Sequence, residues 1–92
     1  MSRKRVRVLI EGRVQGVMFR DSARARAQSL GVTGWIRNRY DGSVEGVFEG
    51  EAEAVEALVR WCEQGPRRAH VERVTVTPEP FQGEFSDFRI RW

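Results

Sequence analysis

Residues Thr33–Glu49 read TGWIRNRYDGSVEGVFE. Two runs rich in β-branched and aromatic residues, Thr33–Arg39 and Val44–Glu49, flank Tyr40–Ser43. An Asp-Gly turn between two such runs predicts a β-hairpin. What lies on either side of this hairpin decides the fold. Upstream, Phe19, Ala23, Ala27 and Leu30 fall at spacings of four, four and three, an apolar helix stripe that Gly31 ends. Downstream, Gly50 leads into EAEAVEALVRWCEQ, where Val55, Leu58 and Cys62 share a stripe flanked by Ala54, Val59 and Trp61. Acidic residues in its first turn suit the positive end of a helix, and Gly65-Pro66 ends it.

Beyond the helices lie two more strands. Arg5–Glu11 alternates, with Val6, Val8 and Ile10 on one face, and Val71–Thr77 is stopped by Pro78-Glu79-Pro80. FSDFRIRW (Phe85–Trp92) adds a short last strand with Phe88, Ile90 and Trp92 on one side. The order predicts an α+β, ferredoxin-like βαββαβ sandwich. Two helices cover one face of an antiparallel sheet, the other face looks to solvent, and a short extra C-terminal strand is appended. This fold hosts many unrelated activities.

A chain of 92 residues suits one domain, residues 1–92. No apolar run approaches the roughly 20 residues of a membrane span. The start, MSRKRVRVLIEG, is interrupted by charge and reads as a strand, not a signal peptide. The single cysteine, Cys62, precludes an internal disulfide and suits a reducing compartment, so a cytoplasmic location is expected. Net charge is +3, and Lys4 is the only lysine among 16 Lys and Arg residues. That bias favours anionic ligands mildly. One histidine, His70, and one cysteine are too few for a His/Cys metal site.

The stretch GRVQGVMFR, Gly12–Arg20, joins the first strand to the first helix. Its two glycines permit a sharp turn and close approach of a ligand. The helix start offers unpaired N–H groups and a dipole that favours an anion. Arg20, near the first turn, opposes that dipole unless an anion completes the site. Its guanidinium matches phosphate oxygens as a fork. The stretch lacks the lysine-serine ending of a P-loop and the third glycine of a dinucleotide fingerprint. Read alone, it is equally a tight turn followed by a surface arginine.

The chain also resembles the acylphosphatases, whose first motif has the form G-x-V-Q-G-V-x-F-R. GWIRNRYDGSVEG (Gly34–Gly46), GPRRAHVERV (Gly65–Val74) and FRIR (Phe88–Arg91) are similar to later parts of that family, in the same order and over almost the entire chain. The resemblance implies a ferredoxin-like fold and hydrolysis of the carboxyl–phosphate bond of small acyl phosphates, giving a carboxylate and inorganic phosphate without metal or other cofactor. It puts the phosphate-binding arginine on Arg20 and the water-orienting asparagine on Asn38. The phosphate loop falls on Gln15, Gly16, Val17, Met18 and Phe19, with Arg20 closing it. Inorganic phosphate is then both product and competitor. A monomer with no nucleic-acid or membrane partner is expected.

The residue types suit that chemistry. A carboxylate leaves without prior protonation, so a strong general acid is not required. Loop amides and Arg20 can hold the phosphoryl oxygens, and an amide such as that of Asn38 offers donor and acceptor to a water. So small a domain should grip the phosphate more than the acyl part, which implies broad acceptance of acyl groups. The alternative is an RNA-binding or non-catalytic regulatory module on the same fold. Glu45 and Glu49 on the open face would repel a phosphate backbone, and intact Arg20 and Asn38 speak against lost catalysis.

Overall fold

The computed structural model describes residues 2–92. Its elements are β1 (Arg3–Arg13), α1 (Phe19–Leu30), β2 (Thr33–Asn38), β3 (Val44–Glu51), α2 (Ala52–Gln64), β4 (His70–Glu79) and β5 (Phe88–Arg91). They form one five-stranded sheet in the order β4-β1-β3-β2-β5. β1 pairs antiparallel with β3 and β4, and β2 with β3, which is the expected βαββαβ sandwich.

The apolar alternation of β1 decides which face is covered. Val6, Val8 and Ile10 point to the helices and pair with Phe48, Gly46 and Val44 of β3. Against them pack Phe19, Ala23 and Ala27 of α1 and Val55, Leu58 and Cys62 of α2, all buried. Each large side chain removed from water contributes about 1.5–3 kcal/mol. Phe19 matters most for the site. It is buried against Trp61, with ring centroids 5.4 Å apart, and so pins the start of α1 to the core.

Two features differ from the sequence reading. First, β4 does not stop before Pro78; it runs to Glu79, with Pro78 opposite Val6. β4 is an edge strand, the place in a sheet where proline is tolerated. Second, the sheet is mixed rather than antiparallel, because β5 lies parallel to β2. After β4 the chain crosses the sheet, donating the backbone N–H groups of Gln82, Gly83 and Glu84 to the Glu49 carboxylate. It reaches the far edge beside Gly34, whose N–H donates to the Asp87 carbonyl at 2.9 Å. From there β5 runs in the direction of β2, and so delivers Trp92 to the end of the sheet where α1 begins.

The face away from the helices is not simply wet. Arg5 donates to Glu79 (2.8 Å), Glu49 (3.3 Å) and Glu84, and Arg7 to Glu79 (2.9 Å) and Glu45 (2.7 Å). Arg37 and Arg39 approach Glu45 at 2.8 and 3.7 Å. Glu49 is 1% exposed. Trp35, on the same face, is buried beneath the guanidinium groups of Arg7, Arg37 and Arg91. The opposite charges of neighbouring strands, together with residues 80–87, cover this side of the sheet.

Candidate active site

Between β1 and α1 the chain alternates buried and exposed residues. Val14, Val17 and Phe19 are anchored inward, whereas Gly16 and Met18 stand outward. Gly16 has φ 74°, and a Cβ there would meet nothing within 4 Å. Backbone conformation, not packing, therefore selects glycine, and open space remains beside the main chain. Met18 is the one non-glycine residue with positive φ among the described residues, at φ 67° and ψ 26°. That left-handed conformation costs roughly 1–2 kcal/mol for a side-chain-bearing residue. Buried Val17 and Phe19 on either side hold it. Met18 is also the N-cap of α1 and supplies no side-chain hydrogen bond. The first recorded bond into the helix runs from the Ser22 N–H to the Met18 carbonyl at 3.1 Å. The N–H groups of Phe19, Arg20 and Asp21 precede it and have no carbonyl one turn back within the helix.

Asn38 ends β2 opposite Val44 and shares the helix-side face with Ile36. It is half-buried at the sheet end, not a residue of the opposite, charged face. The turn after it is tight: the Arg39 N–H donates to the Ser43 carbonyl at 2.8 Å, and Asp41 accepts from the Ser43 N–H at 3.0 Å. Gln15 ties the loop to this turn. Its side-chain Nε2 donates to the carbonyls of Arg39 (2.7 Å) and Ser43 (2.9 Å).

These constraints bring Gly16, Met18, Phe19, Arg20 and Asn38 to the wall of one cavity of about 230 Å³. Gln15 lines an adjoining cavity of about 630 Å³ that shares Asn38 and Trp92 with the first. The side chain of Gln15 is committed to the turn and that of Val17 to the core, so their contact with a ligand would come from the main chain. The Phe19 ring likewise belongs to the core. Arg20 is half-buried; its Nη1 donates to the Arg91 carbonyl at 3.4 Å, and its guanidinium lies 4.3 Å from the centre of the Trp92 ring. Its neighbour Asp21 pairs with Arg24 at 3.6 Å.

Trp92 is the site residue that the sequence pattern did not single out. The alternation in FRIRW places it beside Phe88 and Ile90, yet it is 94% exposed and stacks on Arg20. No local signal marks it, because its position depends on the direction of β5.

The charges around the hairpin are firmly set. Burial pushes the Glu45 carboxyl up, but hydrogen bonds from Arg37 and Arg7 outweigh that and hold it below its ordinary range. The Ser43 hydroxyl and N–H keep the exposed Asp41 carboxyl low as well. Burial pushes the Cys62 thiol far up, which leaves it inert in the core. No group of three His, Cys, Asp or Glu side chains suited to a metal ion occurs among the described residues. The cavity wall includes the start of α1, whose first N–H groups lack partners within the helix, the Arg20 guanidinium, the Asn38 amide and Asp21, whose carboxylate is paired with Arg24. That set suits a tetrahedral anion with a water beside it.

Comparison with known proteins shows the family. The acylphosphatase family profile matches residues 6–90. The chain is 60% identical to an acylphosphatase of Pelotomaculum thermopropionicum over 90 residues, covering 98% of each protein. Its fold superposes on the acylphosphatase of Coxiella burnetii with a TM-score of 0.92 at 38% identity, over 97% of this chain and 93% of that one. For the acylphosphatase of Bacillus subtilis the TM-score is 0.93 at 31% identity, over 97% and 99%. With the family profile matched over residues 6–90 and relatives of this identity and coverage, the chain belongs to the acylphosphatase family.

Proposed function

We propose that the loop of residues 15–20 and the Arg20 guanidinium bind the phosphoryl group, and that Asn38 holds the attacking water. The reaction is that of the family: water adds to phosphorus, the bond from phosphorus to the acyl oxygen breaks, and a carboxylate and inorganic phosphate leave. The observation that carries the division of labour is the shared cavity. Arg20 on α1 and Asn38 on β2 line it together although they lie far apart in the chain.

The chemistry needs little more. Negative charge on the phosphoryl oxygens is matched by N–H groups and a planar fork that are in place before substrate arrives. The carboxylate departs unprotonated, so no acid is called for. Neither cavity contains a histidine. An asparagine amide orients a water but does not take its proton, which passes to a phosphate oxygen or to solvent.

A cytoplasmic monomer acting on free acyl phosphates is the setting we propose. A single cysteine, buried and unpaired, fits a reducing compartment. A nucleic-acid partner is disfavoured by the sheet face itself, where Trp35 is covered and Glu45 and Glu49 neutralise the arginines. Light scattering at the mass of one 10.6 kDa chain and recovery from the soluble cell fraction would support the setting.

The test of the reading is release of phosphate from benzoyl phosphate by the purified protein in excess chelator, with inorganic phosphate added as inhibitor. Turnover that persists under chelation and is inhibited competitively by phosphate is expected. Activity that needs an added divalent ion, or that ignores phosphate, would overturn it.

A further inference from the structure

We propose that Trp92, together with Met18, forms the surface on which the acyl group of the substrate packs, so that the enzyme favours aromatic acyl phosphates over acetyl phosphate. The proposal rests on the placement of the phosphoryl group given above and adds the acyl subsite to it. Among the described residues five large hydrophobic side chains are exposed: Met18, Tyr40, Val76, Phe81 and Trp92. Isolated exposed apolar residues call for no explanation, but apolar residues gathered at a polar cavity do. Met18, 65% exposed, and Trp92, 94% exposed, line the same cavity as Arg20 and Asn38.

Trp92 is exposed but oriented. Its ring stands 4.3 Å from the Arg20 guanidinium, and the preceding carbonyl, that of Arg91, accepts a hydrogen bond from the same guanidinium. One face of the indole is therefore used by the phosphate-binding arginine, and most of the remaining ring surface is open. A phosphoryl group on Arg20 brings its acyl substituent within reach of that surface. A flat apolar group gains there by burial and by ring-ring contact, whereas a methyl group gains little. Met18 belongs to the loop and Trp92 to the chain beyond β5. Neither sits on the strand that carries Asn38, so an acyl group can pack on them while a water occupies the Asn38 amide.

This accounts for the unusual backbone of Met18. The left-handed conformation at that position is easiest for glycine, yet a long, unbranched, adaptable side chain is found there and points outward. A residue needed only to turn the chain into α1 gives no reason for an exposed thioether.

The experiment compares kcat/KM for benzoyl phosphate and acetyl phosphate in the unsubstituted protein and in Trp92→Ala, Trp92→Phe and Met18→Ala. Inhibition by inorganic phosphate and by benzylphosphonate is measured beside it. Trp92→Ala should lower kcat/KM for benzoyl phosphate by about 3- to 10-fold, mostly through KM, and weaken benzylphosphonate to a similar extent. Any loss for acetyl phosphate and inorganic phosphate, through the contact of Trp92 with Arg20, should be clearly smaller than the loss for benzoyl phosphate, and Trp92→Phe should restore most of that difference. Equal losses for both substrates, with weaker phosphate inhibition, would make Trp92 a positioning residue for Arg20 and overturn the proposal. No change in either substrate would overturn it too. Failure of the underlying site is distinguishable: Arg20→Lys would then leave both substrates unaffected, whereas an inactive Arg20→Lys with an unchanged substrate ratio in Trp92→Ala removes the acyl subsite alone.

Discussion

The side-chain nitrogen of Gln15 lies 2.9 Å from the carbonyl oxygen of Ser43, and the same nitrogen reaches the Arg39 carbonyl at 2.7 Å. One amide thereby ties both ends of the β2–β3 turn to the loop, and the spacing between Arg20 and Asn38 should depend on it. Gln15→Glu keeps the side chain's length but sets a carboxylate against two carbonyls. Each carbonyl keeps a backbone donor, the Arg39 N–H for Ser43 and the Gly42 N–H for Arg39, so the cost is that of the hydrogen bonds lost, about 0.5–1.5 kcal/mol each. The variant should lose stability of that order and roughly 10-fold in kcat/KM, as misplaced groups do. Urea unfolding and steady-state hydrolysis of benzoyl phosphate measure both. Unchanged values would mean that the loop and the turn hold their positions independently.

Arg20→Lys should be damaging although the charge is kept. Lysine offers a point charge instead of a planar fork. A loss of about 100-fold or more in kcat/KM is expected, typical of removing one oxyanion donor. Phosphate inhibition should weaken alongside, because the same fork holds phosphate in the ground state. Near-normal kinetics in a folded variant would take Arg20 out of the site.

The charged face of the sheet sets an acid limit on stability. Hydrogen bonds from Arg5 and Arg7 lower the Glu79 carboxyl. For Glu49 and Glu45 burial acts upward, but backbone N–H and arginine donors prevail and the net direction is down from 4.5. In the folded state these carboxyls bind protons at lower pH than in the unfolded chain. Their contribution is thus complete above the ordinary carboxylate value and is lost as pH falls through the depressed folded values. The urea midpoint should be level between about pH 7 and 5 and fall below about pH 4.5. Glu49→Gln should lower the midpoint at neutral pH and flatten the acid limb. A midpoint that rises on acidification would contradict the network.

The helices and their buried stripes were legible because burial repeats with the helical period, as at Phe19, Ala23 and Ala27. Strand pairing was legible around the hairpin, where the Asp-Gly turn fixes two neighbours. The rest depended on topology. Pro78 looked like a stop because nothing in its neighbours reveals that β4 is an edge. Glu45 and Glu49 read as charges on an open face; only the cross-strand register, which sets Arg5 and Arg7 beside them, turns them into a covering. The direction of β5 is absent from its four residues, since it follows from where residues 80–87 cross, and the stacking of Trp92 on Arg20 was hidden with it. In the site, the loop's anion-binding character could be read from glycines and helix start. Asn38 could not be read so: as a lone polar strand residue it was chosen by family resemblance, and its place on the cavity wall is a consequence of the fold.

Asn38→Ala separates the two halves of the proposed mechanism. If the amide orients water, it acts on the nucleophile and touches bound phosphate little. The loop N–H groups and Arg20 stay in place when it is removed, because Gln15, not Asn38, holds the loop to the turn. Turnover should then fall by roughly 100- to 1,000-fold, equivalent to about 2.7–4 kcal/mol of transition-state stabilisation. The phosphate inhibition constant should move much less, since phosphate binding reports the cradle alone. Folding should be largely kept: Asn38 is half-buried at a strand end, and its ladder hydrogen bonds to β3 come from the backbone. The measurements are kcat for benzoyl phosphate, the inhibition constant for inorganic phosphate and a circular-dichroism melt. Equal losses in turnover and phosphate affinity would reassign Asn38 to phosphate binding. Unchanged turnover would leave the water without a holder on β2 and restrict the site to the loop and Arg20.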